Sequence, residues 1–271
     1  DKLEHLIDVG VWCGYADSPG TYNAQGKIHS NIYEFEGKLY CTTTSAHATL
    51  EHPYRGGHFL AYDLETGAFE NLGKVDYDGR GGLLSAVLDP LYRRVYAIHQ
   101  HRTMLVYYDL DSNEIVEVGP IEDGGMQCRF PIVDRHGVVY LSSRDGMILR
   151  YNPATDTRGA LLTRVPHDPN APQPTAPAPG ERGHLGWRCS HWAPMLWDPE
   201  SQWWYGVRGN DEYLFRFRPP ENPRSHTGRA QGLAPLGFQP SDQGQPRFAS
   251  YALARKGRTL YYCSYPLWRS M

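Results

Sequence analysis

A short phrase that recurs along the chain is the strongest constraint on its fold. It consists of an aromatic residue, an aspartate or asparagine and a polar turn, and it occurs at YDLETG (62–67), YDLDSN (108–113) and YNPATD (151–156). A weaker copy, FRPPEN, occupies 217–222. Four-stranded units that repeat every ~40–50 residues are typical of β-propeller blades. The repeat therefore predicts a series of blades.

Further phrases fill each repeat with additional strands. Each is an apolar segment, a turn and a second segment that carries a tyrosine, and the copies lie at 32–43, 86–99, 132–143, 195–207 and 251–264. Apolar residues alternate with a period of two, which indicates β-strands. We therefore divide each unit into strands A to D. Four full units are predicted at 28–74, 81–121, 128–165 and 190–238, and a fifth begins at 248.

These patterns predict an all-β protein, a β-propeller of four-stranded blades with five visible repeats in one domain, 1–271. The segment LIDVGV (6–11) is expected to act as a separate strand D that completes the last unit. The alternative is that the chain forms part of a six- or seven-bladed ring. The proline-rich stretch 166–180 is predicted to be an extended insertion, either a surface loop or a lid.

Composition supports short strands joined by turns and excludes several classes of protein. The chain has 19 Tyr, 8 Phe and 7 Trp beside 28 Gly and 21 Pro. Its net charge of −3 argues against a nucleic-acid-binding protein. No apolar segment approaches the ~20 residues that span a bilayer, so no membrane span is predicted. The five cysteines contain no CxxC pair, which favours buried free thiols over a disulfide framework or a zinc ribbon.

Cationic and titratable residues recur at equivalent places in the repeats. Since equivalent strand ends of successive blades are expected on one face, they predict a positive pocket suited to a carboxylate or sulfate group. The alternative for any one of them is an ordinary side chain paired with a neighbour. Those at strand A starts are His29, Arg129, His191 and Arg247, and those at strand B ends are His47, His99, Arg144, Arg208 and Tyr265.

Metal binding has weaker support. The pairs His99–His101 and Cys189–His191 each place two possible ligands one residue apart, but two ligands do not make a site. A structural divalent metal ion is therefore left open. Asp134, Asp198 and the aspartates of the YD phrases are predicted to cap turns.

Two runs resemble a blade of the β-propeller polysaccharide lyases. They are GKIHSNIYEFEGKLYCTTTSAH and YRGGHFLAYDLETGAFENLG, and the ulvan lyases are the most similar group, with oligogalacturonate lyases more distant. The resemblance implies β-elimination at a uronic acid. Such an enzyme neutralises the carboxylate, removes the C5 proton with a base and protonates the leaving oxygen with an acid.

The resemblance also implies roles for individual residues. His29 and His47 correspond to the base or the carboxylate-binding groups, and Arg144 or Arg129 to the group that neutralises the carboxylate. The family's tyrosine near the start of the third unit is replaced by Cys128, so Tyr265 or Tyr96 is the remaining candidate for the acid. His99, His191, Arg208 and Arg247 are then expected to bind substrate.

The sequence thus predicts a secreted or periplasmic, monomeric lyase whose partner is a uronate-containing anionic polysaccharide. The chain opens with DKLEH and shows no signal peptide. One alternative is a non-catalytic propeller that binds glycans or proteins. Another is a metal-dependent hydrolase or lactonase on the same fold, which the scarcity of acidic residues at strand starts disfavours.

Overall fold

The chain consists of two compact units, residues 1–126 and 127–271, which are described separately. A computed structural model describes the following residues: 7–14, 27–44, 56–77, 81–99, 104–121, 130–143, 146–170, 192–208, 213–236 and 248–266.

The first sheet of the first unit, blade 1, has a divided inner strand. Strands β1 (Lys27–Ile28) and β2 (Tyr33–Phe35) both pair with β3 (Lys38–Thr44). Strands β4 (Gly57–Asp63) and β5 (Phe69–Val75) continue the sheet outward. All pairs are antiparallel, so consecutive strands are neighbours, as expected for a blade.

Blade 2 follows with the same order of strands. It consists of β6 (Leu83–Asp89), β7 (Arg94–His99), β8 (Met104–Asp109) and β9 (Glu114–Pro120). Apolar side chains from both sheets pack together in one buried core, so each sheet covers a face of the other. The buried members are Tyr40, Phe59, Ala61 and Val75 of blade 1 with Leu83, Ala86, Val95, Ala97, Val106 and Tyr108 of blade 2.

The second unit begins with blade 3. Its strands are β10 (Ile132–Val133), β11 (Val139–Ser142), β12 (Met147–Asn152) and β13 (Thr157–Arg164).

Blade 4 and a hairpin complete the second unit. Blade 4 consists of β14 (Trp192–Asp198), β15 (Trp203–Arg208), β16 (Tyr213–Arg218) and β17 (Arg229–Pro235). The core that it shares with blade 3 includes Ile132 and the aromatic residues Tyr140, Trp192, Phe215 and Phe217. The hairpin pairs β18 (Phe248–Lys256) with β19 (Thr259–Pro266).

The predicted fold class is confirmed: the described residues are nearly all-β and form several four-stranded, antiparallel sheets in a propeller-like arrangement. The predicted units at 28–74, 81–121, 128–165 and 190–238 coincide with the four sheets within a few residues. The fifth predicted unit corresponds to the hairpin. The insertion predicted at 166–180 begins in a segment without regular structure, and its residues from 171 onward lie outside the described part.

Carboxylate side chains cap the turns within the blades, as predicted. The Asp63 Oδ1 atom accepts hydrogen bonds from the backbone N–H groups of Glu65 and Thr66, at 3.0 and 2.8 Å. Asp109 and Asp134 cap the turns after β8 and β10 in the same way. These bonds satisfy donors that the strand ladder does not use.

The prediction that LIDVGV (6–11) forms a strand is wrong for its described part. Val9–Trp12 is a short helix, α1. The Asp8 carboxylate accepts a hydrogen bond of 2.7 Å from Gly10 N–H, the bond of a helix N-cap. The Trp12 ring packs edge-on against Phe69 and donates its Nε1–H to the Glu70 carbonyl at 3.0 Å. Gly10 is the buried residue of this helix, whereas Val9 and Trp12 are half-buried and Val11 is exposed.

Two glycines allow blades 1 and 2 to approach closely. A Cβ atom at Gly57 would lie 2.7 Å from the Thr43 carbonyl oxygen and would also collide with the backbone of Leu83. A Cβ at Gly82 would lie 2.7 Å from Thr44 Cα. Backbone from the two sheets therefore meets where a side chain would not fit.

We expect Gly57→Ala to lower the free energy of unfolding by about 1–3 kcal/mol, because the methyl group must displace backbone atoms. Gly159→Ala is the matched control, since a Cβ there meets nothing within 4 Å. Its free energy of unfolding should stay within about 0.5 kcal/mol of the parent or rise. Urea denaturation of the three proteins measures both. Equal stability of the two variants would contradict the close approach.

Candidate functional site

His29 lies directly after β1 and is bound to the neighbouring blade. Its Nδ1 atom is 2.9 Å from the carbonyl oxygen of Leu84 in β6. A carbonyl can only accept, so Nδ1 carries the proton of this bond. The neutral ring then has its lone pair on Nε2, the tautomer that can accept a proton there. His29 is half-buried.

A β-bulge explains why the Leu84 carbonyl is available to His29. The pairing of β6 with β7 shifts its register between Leu83 and Ser85, so Leu84 is the extra residue. A bulge leaves backbone groups of that residue outside the regular ladder. Similar shifts occur near the starts of β14 and β18. The shifts in β14 and β18 therefore lie shortly after His191 and Arg247 in the sequence, two of the predicted cationic positions.

Hydroxyl groups line the strand of blade 1 beside His29. The Ser30 Oγ atom accepts a hydrogen bond of 2.8 Å from Thr42 N–H. Thr42, Thr43 and Thr44 are all buried at 0–1% exposure. The Thr43 hydroxyl accepts from His58 N–H at 3.0 Å. The hydroxyls of Ser30, Thr42 and Thr43 are thus hydrogen-bonded within the fold.

His99, predicted to bind substrate, lies at the end of β7 and is 0% exposed. The Tyr77 ring meets it edge-on, with ring centroids 4.6 Å apart. Arg208 ends β15, where it pairs with Trp192 of β14, and it is half-buried. Their roles in substrate binding stay predictions.

The other predicted site residues have no described side-chain environment. Tyr265 belongs to β19 and pairs with Ala249, but only its backbone is described. His47, Arg129, Arg144, His191 and Arg247 lie outside the described residues. The assembly of the predicted cationic ring therefore stays a prediction.

Sequence reasoning missed a buried histidine in blade 1, the blade that also carries His29. His58, at the start of β4, is 4% exposed. Its Nδ1 atom is 3.0 Å from Asn71 Oδ1, which also accepts from Gly73 N–H, so the histidine is the donor. Burial lowers the pKa of His58, and nearby Lys74 lowers it further, while the bond to Asn71 and the charge of Asp76 oppose this. The GGHF segment contains His58, but only the register shows that it faces Thr43.

No group of three His, Cys, Asp or Glu side chains that could hold a metal ion is present within the described residues. His101, Cys189 and His191, the partners in the two pairs considered from the sequence, lie outside them. Among the described residues, no helix is long and apolar enough to cross a bilayer.

Solved structures of other proteins share this fold. No family model and no curated protein sequence matches the chain. A protein from Lactobacillus plantarum aligns over 91% of the chain and 67% of its own length, with a TM-score of 0.59 and 11% identity. An auxiliary nutrient binding protein from Bacteroides thetaiotaomicron aligns over 88% of the chain, with a TM-score of 0.54 and 13% identity.

The extracellular domain of a hybrid two component system from B. thetaiotaomicron aligns over 91% of the chain, with a TM-score of 0.54 and 14% identity. The chain spans about half of the nutrient binding protein (52%) and about a quarter of this extracellular domain (26%). These likenesses show a shared multi-blade β fold and no more.

The buried His58 predicts a pH-dependent stability. Because its pKa is lowered in the folded protein, the unfolded chain binds more protons once the pH falls below about 6.5. The free energy of unfolding should therefore decrease as the pH falls through this value. His58→Asn keeps a donor toward Asn71 but cannot titrate. The loss of stability between about pH 7.5 and about pH 5.5, measured by urea denaturation, should be smaller in this variant. An equal loss would contradict the assignment.

Proposed function

We propose that the protein is an extracellular polysaccharide lyase that cleaves a uronate-containing anionic polysaccharide, of the ulvan type, by β-elimination. The observation that carries the proposal is the hydrogen bond between His29 Nδ1 and the Leu84 carbonyl oxygen at the start of the innermost strand. It gives the ring the tautomer that a general base requires. The resemblance of the surrounding KIHS and GGHFLAYDLETG segments to ulvan lyases supports the choice of reaction.

In this reaction, the Nε2 lone pair of His29 removes the C5 proton of the uronate. The C–H electrons form the new double bond, and the bond to the leaving glycosidic oxygen breaks. As the ring becomes cationic, its Nδ1–H bond to Leu84 strengthens, because a charged donor makes a stronger hydrogen bond. The bulge at Leu84 thereby stabilises the protonated base.

The remaining roles are assigned by resemblance and by position in the repeat. Arg144 or Arg129 neutralises the substrate carboxylate, and His47 is a second candidate for the base or for binding that carboxylate. Tyr265 is the proposed acid that protonates the leaving oxygen, in place of the tyrosine that Cys128 replaces. Substrate-binding roles are proposed for His99, His191, Arg208 and Arg247.

An extracellular or periplasmic location fits a substrate that is a polymer. Proteins with a similar fold include a nutrient binding protein and an extracellular domain, which agrees with this location. The alternative is a propeller that binds an anionic glycan without cleaving it. Both functions use a positive pocket, so product formation distinguishes them.

We expect the protein to release unsaturated uronate from ulvan, pectate, alginate or a glycosaminoglycan, seen as a rise in ultraviolet absorbance. His29→Ala should lower kcat by about 100-fold or more, because a general base contributes ~10²–10⁴-fold. His47→Ala and Arg144→Ala should each lower turnover by about 100-fold.

The matched control is His136→Ala. His136 lies in the turn after β10, whereas the predicted site residues lie at the other end of the inner strands, where these strands start. It should retain the parent turnover. If no polymer yields product while one still retards the protein in an affinity gel, the glycan-binding alternative replaces the lyase. Undiminished turnover in His29→Ala would reject His29 as the base.

A further inference from the structure

Two buried thiols lie together beneath the N-terminal helix. Cys13 directly follows α1 and Cys41 lies in β3, and each is 3% exposed. Both are free thiols in this structure. With Leu60 they form a small buried cluster, separate from the core between blades 1 and 2.

The strand register places Cys41 under the end of this helix. Cys41 pairs with Leu60, and Leu60 pairs with Asn71, so these three residues form a row across one face of blade 1. The Asn71 side-chain amide donates to the Cys13 carbonyl oxygen at 3.2 Å. The backbone of Cys13 is therefore anchored over this row.

The Cys13 side chain reaches the same strand as Cys41. The Thr43 hydroxyl opposes the rise in the pKa of the Cys13 thiol that burial causes, which places the two side chains near each other. Thr43 lies two residues after Cys41 in β3, so both side chains are on the same face of the strand. Cys13 therefore packs on the face of β3 that carries Cys41, in the same buried cluster.

The helix needs such an attachment. A helix of four residues has too few internal hydrogen bonds to be stable alone. Other contacts that hold it are those of Trp12 with Phe69 and Glu70 and the hydrogen bond of Asn71 to the Cys13 carbonyl. A covalent bond from Cys13 to blade 1 would hold it independently of these contacts.

We propose that Cys13 and Cys41 are an oxidisable pair that forms a disulfide and thereby fastens α1 to blade 1. The two residues are 28 positions apart, so the bond closes a long loop that includes β1 and β2. The inference concerns stability and does not depend on the proposed lyase activity.

The oxidant is a small-molecule disulfide such as oxidised glutathione. One cysteine thiolate attacks a sulfur atom of oxidised glutathione, which forms a mixed disulfide and releases one glutathione thiolate. The second cysteine thiolate then attacks the cysteine sulfur of this mixed disulfide, which forms the Cys13–Cys41 bond and releases the second glutathione thiolate. Each cysteine loses its proton, and the glutathione disulfide is reduced. Burial raises the pKa of both thiols to about 12, so the thiols of the folded protein react slowly. The bond is therefore expected to form during folding, before α1 packs on the sheet.

The test is to refold the whole chain with oxidised and reduced glutathione, block the remaining thiols and digest it with trypsin. Lys27 and Lys38 lie between the two cysteines, so cleavage places them on separate peptides, Leu3–Lys27 and Leu39–Arg55. We expect mass spectrometry to find these two peptides joined, and released again by a reductant. Absence of the joined pair, or pairing of Cys13 with Cys128, Cys189 or Cys263, would overturn the proposal.

A second measurement tests the effect on stability. Oxidation should raise the Tm of the parent protein by roughly 5–10 °C over its reduced form, and Cys41→Ala should show no such rise. Cys263→Ala is the control that keeps the pair and should retain the rise. An equal rise in Cys41→Ala would assign the effect to another disulfide. The peptide map uses the parent protein alone, so it tests the proposal even if the Cys41→Ala variant does not fold.

Discussion

Capped turns that set the strand register are the constraint on which the rest of the structure depends. Adjacent side chains of a strand point to opposite faces, so a slip of one residue would exchange the buried and exposed faces of a sheet. Aspartates bind the backbone of the turns after β4, β8 and β10, and Asp134 also accepts a hydrogen bond of 3.0 Å from the Tyr140 hydroxyl. Each capped turn thus fixes the residue at which the chain reverses. The resulting register decides which aromatic side chains face the core.

Contacts between neighbouring blades repeat in both units. In the first unit, Arg93 forms ion pairs with Glu36 of blade 1 and Asp111 of blade 2. In the second, Arg255 of the terminal hairpin forms an ion pair with Asp198 of blade 4. The Arg93 pairs are largely exposed and contribute little, whereas the Asp198 side chain is only 7% exposed. Burial of apolar surface between blades remains the main source of stability.

The candidate site depends on the same contact between blades. His29 belongs to blade 1, but the carbonyl that sets its tautomer belongs to the bulge in blade 2. The close approach at Gly57 and Gly82 brings these two sheets together. Any change that separates the blades should therefore break the hydrogen bond that sets the His29 tautomer and also lower the stability of the fold. The tautomer of the proposed base therefore depends on the packing of blade 1 against blade 2.

The sequence by itself determined the fold class, the blade boundaries and the capped turns, because these follow from local patterns: a period of two, a repeated YD phrase and aspartates at turns. It also pointed to His29 at a strand start. It failed at the segment 6–11, where alternating apolar residues fit a strand but Asp8 caps a helix. Nor did it show that His58 is buried, or that Cys13 lies over Cys41, 28 positions away. Only the tertiary structure decided these, since the partners Leu84, Asn71 and Thr43 are brought close by sheet register and packing, which no local pattern encodes.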